Sequence, residues 1–171
     1  SGGDAPGINT LISRFSVLAA QNDDSVFGAD GGFAAVLNND ITPVDRRVAR
    51  RLDGRGGTLY ASTREPVLAA DDAEGRLKAI LAEHEIDNIV LFGGNGSLTH
   101  LPRLLKQWNI SHIGIPTTID NDVAGTEYTL GFDSACNYAY QAIDGVIATA
   151  HALPGRIFMV ETLGGDTGYL A

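Results

Sequence analysis

The sequence has one cysteine, few cations and no apolar run long enough to cross a membrane. Cys136 cannot form a disulfide within the chain, and its helical context predicts a packed small side chain rather than a nucleophile. Lysine and arginine total 12 against 21 acidic residues, so the net charge is −9. This balance argues against nonspecific binding to nucleic acid or anionic membranes. Because a single cysteine fits a reducing cytoplasm, we expect a cytoplasmic protein, and the charge predicts that it binds neither nucleic acid nor membranes.

Two further patterns are missing. The N-terminus shows no basic-then-apolar signal sequence. The four histidines lack the spacing of metal ligands, so we assign them no metal: His84, His100, His112 and His151. Glycine, in contrast, is frequent at 21 residues, and much of it clusters in loops, which suggests that backbone approaches a ligand there.

Strand-like and helical segments alternate along the chain. Apolar runs at residues 88–92, 112–115 and 156–160 are typical of buried strands. Helical spacing predicts helices at residues 8–20, 73–84, 98–108 and 135–150. This order predicts an α/β three-layer sandwich with a mainly parallel sheet that is covered on both faces.

Both ends of the predicted fold look incomplete. Ser1–Gly7 is a strand-to-helix loop with no strand before it, and Gly168–Ala171 stops in a predicted helix without a cap. We therefore expect residues 1–171 to form a single partial domain of a longer protein. A length of 171 residues and a hydrophobic content of 44% suffice for one substantial core.

The segment Ile113–Asp122 combines an apolar run, a proline, two threonines and two carboxylates. We interpret it as a strand that leaves its sheet at Pro116. Ligands of open α/β sheets bind outside the carboxyl ends of the strands, where Thr118, Asp120 and Asp122 would lie. One carboxylate could accept a proton from a substrate hydroxyl while a second holds a metal. The alternative is an Asx-rich turn that caps the next helix.

Three glycine pairs mark loops of a second kind. Gly93–Ser97 lies between a strand and a helix, where backbone amides and the positive end of the helix can hold a phosphate. Gly2-Gly3 forms a similar turn, and Gly56-Gly57 is followed by Arg64, a cation that could bind a nucleotide phosphate. Tight turns and a surface arginine are the alternatives. The arginines of residues 46–51 are typical of one solvated helix face.

Together, these loops resemble the 6-phosphofructokinase family in order and over essentially the whole chain. The matching segments are GGDAPGIN (2–9), GGT (56–58) followed by Arg64, GGNGS (93–97), PTTIDND (116–122), GFDSA (131–135), RIFMVETLGG (156–165) and GYLA (168–171). The resemblance implies ATP-dependent phosphorylation of fructose 6-phosphate at its 1-hydroxyl, the glycolytic step to fructose 1,6-bisphosphate, with Mg²⁺. It also implies a homo-oligomer, tetramer or dimer, in the full-length protein.

The resemblance also implies roles for individual residues. Asp120 would be the base, flanked by Thr118 and Asp122. Nucleotide contacts would come from Gly3, Arg64, Glu65, Gly94, Asn95, Gly96 and Ser97. The sugar phosphate would be bound by Thr118, Ile119, Asp120, Leu163, Gly164 and Gly165, and by Arg156 reaching into a neighbouring subunit. Asn95 and Asp122 would organise the metal.

Several positions bear on the donor and the activity. In the family, glycine at the position of Gly96 is typical of ATP-dependent enzymes, and an acidic residue there is typical of pyrophosphate-dependent enzymes. At a second position that differs between the two types, this chain has Thr117, which matches neither. Asn95 replaces an aspartate of the family, and Gly165 replaces an arginine. The alternatives are therefore a pyrophosphate-dependent enzyme, a kinase of another sugar or nucleoside, and a non-catalytic regulatory protein that binds sugar phosphate or nucleotide. The 171 residues alone are expected to be inactive, because half of the site would be missing.

Overall fold

The structure is a computed structural model that describes residues 1–63 and 70–171. Its helices are α1 (Ile8–Gln21), α2 (Gly32–Leu37), α3 (Arg46–Arg51), α4 (Ala73–Glu83), α5 (Asn95–Gln107) and α6 (Phe132–Ala152). Its strands are β1 (Phe27–Ala29), β2 (Ile41–Pro43), β3 (Ile89–Gly93), β4 (His112–Thr118) and β5 (Leu130–Gly131).

The main sheet is parallel, as predicted. Strand β3 pairs with β4 from Ile89 opposite His112 to Gly93 opposite Pro116, and α5 connects the two strands. Strand β5 pairs in parallel with the end of β4, where Thr118 lies opposite Gly131. The strands β1 and β2 form a separate antiparallel pair that was not predicted from the sequence.

Two hydrophobic cores lie on opposite faces of β3. Successive side chains of a strand point to opposite faces. Leu91 accordingly belongs to one core, with residues of α2, α4 and α5, whereas Phe92 packs against the other core, with residues of α1 and α3. Helices therefore cover the sheet on both sides, which confirms the α/β fold with three layers.

The helices predicted from apolar spacing are confirmed with small shifts at their ends. In α4, Ala73 and Leu77 are fully buried, as the spacing requires. Helix α3 begins after Asp45, whose carboxylate accepts hydrogen bonds from the Arg47 and Val48 N–H groups at 2.8 and 3.3 Å. Its four arginines are exposed, so this run is a solvated face, as we interpreted it.

Two predicted boundaries near the glycine and carboxylate loops were wrong. Pro116 does not end β4. It is the last residue of β4 that pairs with β3, so its missing N–H costs no bond further along that ladder. The next two residues, Thr117 and Thr118, pair with β5. The structure also extends α5 to Asn95, three residues earlier than the expected start at Leu98. Thr118 therefore ends a strand, and within GGNGS Gly93 ends β3, Gly94 caps α5, and Asn95–Ser97 form its first turn.

The C-terminal predictions were only partly right. Helix α6 is present, but only Phe132 is buried in it, and Ile143 and Ile147 are 36% and 47% exposed. The strand expected at residues 156–160 is not formed, since a strand needs a neighbour to receive its backbone hydrogen bonds and this segment is exposed. Residues 168–171 form a turn instead of a helix. Among the described residues, no helix combines the length and apolarity needed to cross a bilayer.

Candidate active site

The carboxyl ends of β3 and β4 bring the glycine loop and the carboxylate loop into contact. Because the two strands are parallel, the residues that follow Gly93 and Pro116 emerge at the same edge of the sheet. A Cβ placed on Gly94 would lie 3.3 Å from the Cβ of Thr118, so the backbone of one loop touches the side chain of the other. Residues predicted for nucleotide and for sugar therefore meet at this edge.

The first glycine turn joins the same edge. Ser1 N donates to Phe92 O at 2.9 Å. Ser1 Oγ lies 3.2 Å from Ser97 Oγ in the first turn of α5. Gly2 is in the left-handed region with φ of 95°, and a Cβ there would approach Ser97 Oγ to 3.4 Å. The Gly2-Gly3 turn thus lies directly against α5.

The third glycine segment reaches this site through residues 61–63. The Gly2 N–H donates to Thr63 O at 3.3 Å, and Ser62 Oγ donates to Gly2 O. Asp30 fixes the same segment, because its Oδ1 accepts the Ala61 N–H at 2.7 Å. Arg64 and Glu65, which we assigned to the nucleotide, lie outside the described residues.

The base of that segment is held by α1. The Asn9 side chain is 3% exposed, and its Nδ2 donates to Arg55 O at 3.3 Å and to Gly56 O at 3.1 Å. Asn9 Oδ1 is buried and has no hydrogen-bond partner among the described residues. The Gly2-Gly3 turn and residues 61–63 therefore join the edge at Gly94, whereas Gly56 contacts the start of α1 through Asn9.

The first turn of α5 has the features of an anion site. Leu98 N–H makes the first helical hydrogen bond, to Gly94 O at 3.0 Å, so the amides of the preceding turn are not used by the helix. A Cβ on Gly96 would meet no atom within 4 Å, which leaves open space beside these amides. Free N–H groups and the helix dipole together favour a phosphate at this position.

The carboxylate loop is fixed by side-chain hydrogen bonds. The Asp120 N–H donates to Thr118 Oγ1 at 3.2 Å, which forms a short turn around the candidate base. Asn121 has a left-handed φ of 53°, and its side chain donates to Glu127 O and accepts the Thr129 N–H. Thr129 Oγ1 in turn donates to Thr118 O at 2.7 Å. These bonds hold Asp120 and Asp122 in place on either side of Asn121.

Asp122 has the features of a cation ligand. Its Oδ1 is buried and lacks a hydrogen-bond partner among the described residues, which is costly for a carboxylate oxygen unless a cation or donor binds it. Asn95 Oδ1 accepts a hydrogen bond from Thr99 and keeps a second lone pair. The described residues contain no cluster of three or more histidine, cysteine or acidic side chains. Carboxylate and amide oxygens of this kind are ligand types that Mg²⁺ accepts.

The sugar-loop residues are partly brought to Asp120. A Cβ on Gly165 would lie 3.1 Å from Asp120 Oδ2, so this loop packs directly on the candidate base. Ile119 is turned the other way and packs against the core formed with α1 and α3. Leu163 is 78% exposed, and Arg156 is exposed after the end of α6. The contact of Arg156 with sugar phosphate stays a prediction.

Sequence reasoning missed the residues that support the site. Asp30 and Thr129 act through backbone groups of distant segments, and only their residue type, common in turns, could have pointed to them. Thr117 is 4% exposed, and its hydroxyl donates to Ile115 O, so its side chain is turned into the protein.

An α/β domain that brings a glycine turn, a helix N-terminus and a carboxylate loop to one sheet edge has the arrangement of phosphate-binding α/β proteins. A family model described as phosphofructokinase matches residues 1–171, and the chain therefore belongs to the phosphofructokinase family.

Curated relatives agree with this assignment. The chain is 37% identical over 171 residues to an ATP-dependent 6-phosphofructokinase of Coxiella burnetii and covers 52% of that protein. It is 40% identical over 173 residues to an ATP-dependent 6-phosphofructokinase of Streptococcus uberis and covers 50% of it. All of this chain is aligned in both cases. It thus spans about half the length of the curated relatives it matches.

Solved structures give the same fold. Phosphofructokinase from Saccharomyces cerevisiae matches 99% of this chain with a TM-score of 0.85 and 26% identity, and the match covers 26% of the yeast chain. A pyrophosphate-dependent phosphofructokinase from Marinobacter aquaeolei matches 89% of this chain and 41% of its own, with a TM-score of 0.72 and 18% identity. The second likeness shows the fold alone.

Proposed function

We propose that the full-length protein containing this chain transfers a phosphoryl group from ATP to the 1-hydroxyl of fructose 6-phosphate. The observation that carries the proposal is the position of the Asp120 loop. It touches the glycine turn through Thr118 and Gly94, and it touches the sugar loop through Gly165. A base between a phosphate site and an acceptor site has the arrangement that phosphoryl transfer requires. The names of the curated relatives support the same reaction.

In this proposal each group of residues has one task. Asp120 accepts the proton of the sugar 1-hydroxyl as that oxygen forms a bond to the γ-phosphorus and the bond to the β-phosphate oxygen breaks. The free amides of Gly94–Ser97 bind phosphate oxygens, and Gly3 lies at the same edge. Asp122 and Asn95 hold Mg²⁺, which neutralises phosphate charge when bound. The loop Leu163–Gly165 lines the sugar side, and Arg156 binds the sugar phosphate of a neighbouring subunit in the oligomer.

The nucleotide donor is supported by one position. The space beside Gly96 is open, so an α-phosphate can lie against the first turn of α5. An acidic residue at this position would fill that space with negative charge. Because Thr117 is buried and its hydroxyl is bonded to Ile115 O, it gives no information about the donor.

Gly165 favours one second candidate, a kinase of another sugar or nucleoside. It occupies the position of a cation in the family, and its φ of 56° suits glycine better than arginine. A purely regulatory binder is less supported by the site, because Asp120 and Asp122 are both retained.

The full-length protein should be assayed with ATP and with pyrophosphate, each against fructose 6-phosphate and a panel of sugars and nucleosides. We expect magnesium-dependent turnover with ATP and fructose 6-phosphate. Turnover with pyrophosphate alone, or with a different acceptor, would replace the proposal by the corresponding alternative. Calorimetric binding of fructose 6-phosphate without any transfer would identify a regulatory protein.

Restoring a carboxylate at residue 95 should strengthen metal binding. We expect Asn95→Asp to lower the Mg²⁺ concentration for half-maximal rate by roughly fivefold, since a charge-assisted contact contributes about 1 kcal/mol more than a neutral one. Magnesium titration of the initial rate measures this shift. Asn88→Asp makes the same charge change at the opposite end of β3 and should leave the titration unchanged. Equal shifts in both variants would show that Asn95 has no contact with the ion.

A further inference from the structure

One contact joins the sugar loop to the carboxylate loop through a side chain that the proposed reaction does not use. Thr167 Oγ1 lies 2.8 Å from Asp120 O and 2.9 Å from Gly164 O, and it donates its hydrogen bond between these carbonyls. The contact spans 47 residues of sequence. It ties residues 163–167 to the Asp120 loop.

The contact completes the restraint on the Asp120 backbone. The N–H of Asp120 donates to Thr118 Oγ1 at 3.2 Å, and its carbonyl accepts from Thr167. The backbone N–H and the backbone C=O of Asp120 are therefore each bonded to a threonine hydroxyl, one from β4 and one from the sugar loop. Holding the backbone on both sides fixes the position of the Asp120 Cα and the direction in which its side chain leaves the backbone.

Gly165 allows this approach. Its φ is 56°, and a Cβ there would lie 3.1 Å from Asp120 Oδ2 and 3.4 Å from its Cγ. The loop therefore adopts a left-handed conformation that brings its backbone against the carboxylate and carries Thr167 over the Asp120 carbonyl. The glycine that replaces an arginine of the family is thus part of the contact.

We propose that Thr167 is a positioning residue that holds Asp120 in the orientation from which it accepts the proton. This inference rests on the proposed function of Asp120 as the base. A displacement of about 1 Å can cost on the order of 100-fold in rate, so losing one of two backbone restraints has a measurable effect on kcat. Thr167 itself does not need to touch the substrate.

The test uses Thr167→Val and Thr167→Ser in the full-length protein. Valine keeps the branched shape without the hydroxyl, and serine keeps the hydroxyl. We expect the valine variant to lose about 10- to 100-fold in kcat with the KM for ATP unchanged, and the serine variant to recover most of it. In an Asp120→Asn background, Thr167→Val should have little further effect, because the two residues act together. Wild-type kcat in the valine variant, or an undiminished loss in the Asp120→Asn background, would overturn the proposal.

Hydrogen exchange of the peptide that contains Asp120 separates this inference from the reaction itself. Thr167→Val should speed exchange of the Asp120 amide, and Thr167→Ser should not. If the wild-type protein showed no phosphoryl transfer, the proposed function would fail while the exchange result still decided whether Thr167 restrains Asp120. Unchanged exchange in the valine variant would contradict the contact.

Discussion

Replacing Asp120 with asparagine in the full-length protein is expected to lower kcat by about 10²–10⁴-fold, with far smaller changes in either KM. Asparagine keeps the shape of the side chain but cannot accept the proton of the sugar hydroxyl. The backbone hydrogen bonds of residue 120, to Thr118 Oγ1 and from Thr167 Oγ1, do not involve the carboxylate and should be retained. Steady-state kinetics at saturating and limiting substrate measure both parameters.

Asp87→Asn is the matched control for this experiment. Asp87 is exposed and lies two residues before the start of β3, at the opposite end of the strand from the glycine turn. The same charge is removed, so any long-range electrostatic effect is shared by the two variants. We expect the control to keep the kcat of the wild type. Wild-type turnover by the Asp120→Asn enzyme at unchanged magnesium would remove the base from the mechanism and leave Asp120 as a turn residue.

Gly96→Asp is expected to weaken ATP binding by at least about 100-fold without unfolding the protein. The carboxylate would occupy the open space in the first turn of α5, where we place a phosphate. Like charges in contact cost several kcal/mol, and each 1.4 kcal/mol is about a factor of ten in affinity. The same carboxylate interacts favourably with the helix dipole, by about 0.3–1 kcal/mol, so the melting temperature should stay level or rise. Calorimetric titration with ATP measures the change in affinity, and thermal unfolding measures the melting temperature.

Gly75→Asp provides the control. Gly75 lies in the first turn of α4, and a Cβ there also meets no atom within 4 Å. The substitution therefore reproduces the helix and charge effects away from the glycine loops, and ATP affinity should not change. A stable Gly96→Asp protein with wild-type ATP affinity would show that the nucleotide phosphates do not bind at α5.

Periodicity and local chemistry predicted the layered sheet and the position of the site. The apolar run at residues 88–92 was sufficient for a buried strand, and Leu91 and Phe92 face different cores. The order of strand, glycine turn and helix placed Gly94 and Thr118 at one sheet edge, because parallel strands end on the same side. These features depend on residues that are close in sequence.

The features that were missed depend on distant residues or on absent neighbours. Thr167 reaches Asp120 over 47 residues, and no spacing rule predicts such a pair. The strand predicted at residues 156–160 from apolar composition is wrong, because pairing requires a neighbouring strand, and Ile157 and Met159 are 98% and 93% exposed. The antiparallel pair of β1 and β2 is three residues long in each strand, which is too short for an alternating pattern to be recognised.

The placement of Leu91 and Phe92 gives the two sides of the active site different local stabilities. Both cores meet on β3 just before the glycine turn, so opening this strand requires both cores to separate. Leu163–Gly165 instead follow an exposed segment and are tied to the carboxylate loop through Thr167. We therefore expect the amides of β3 to exchange with solvent more slowly than those of residues 163–165.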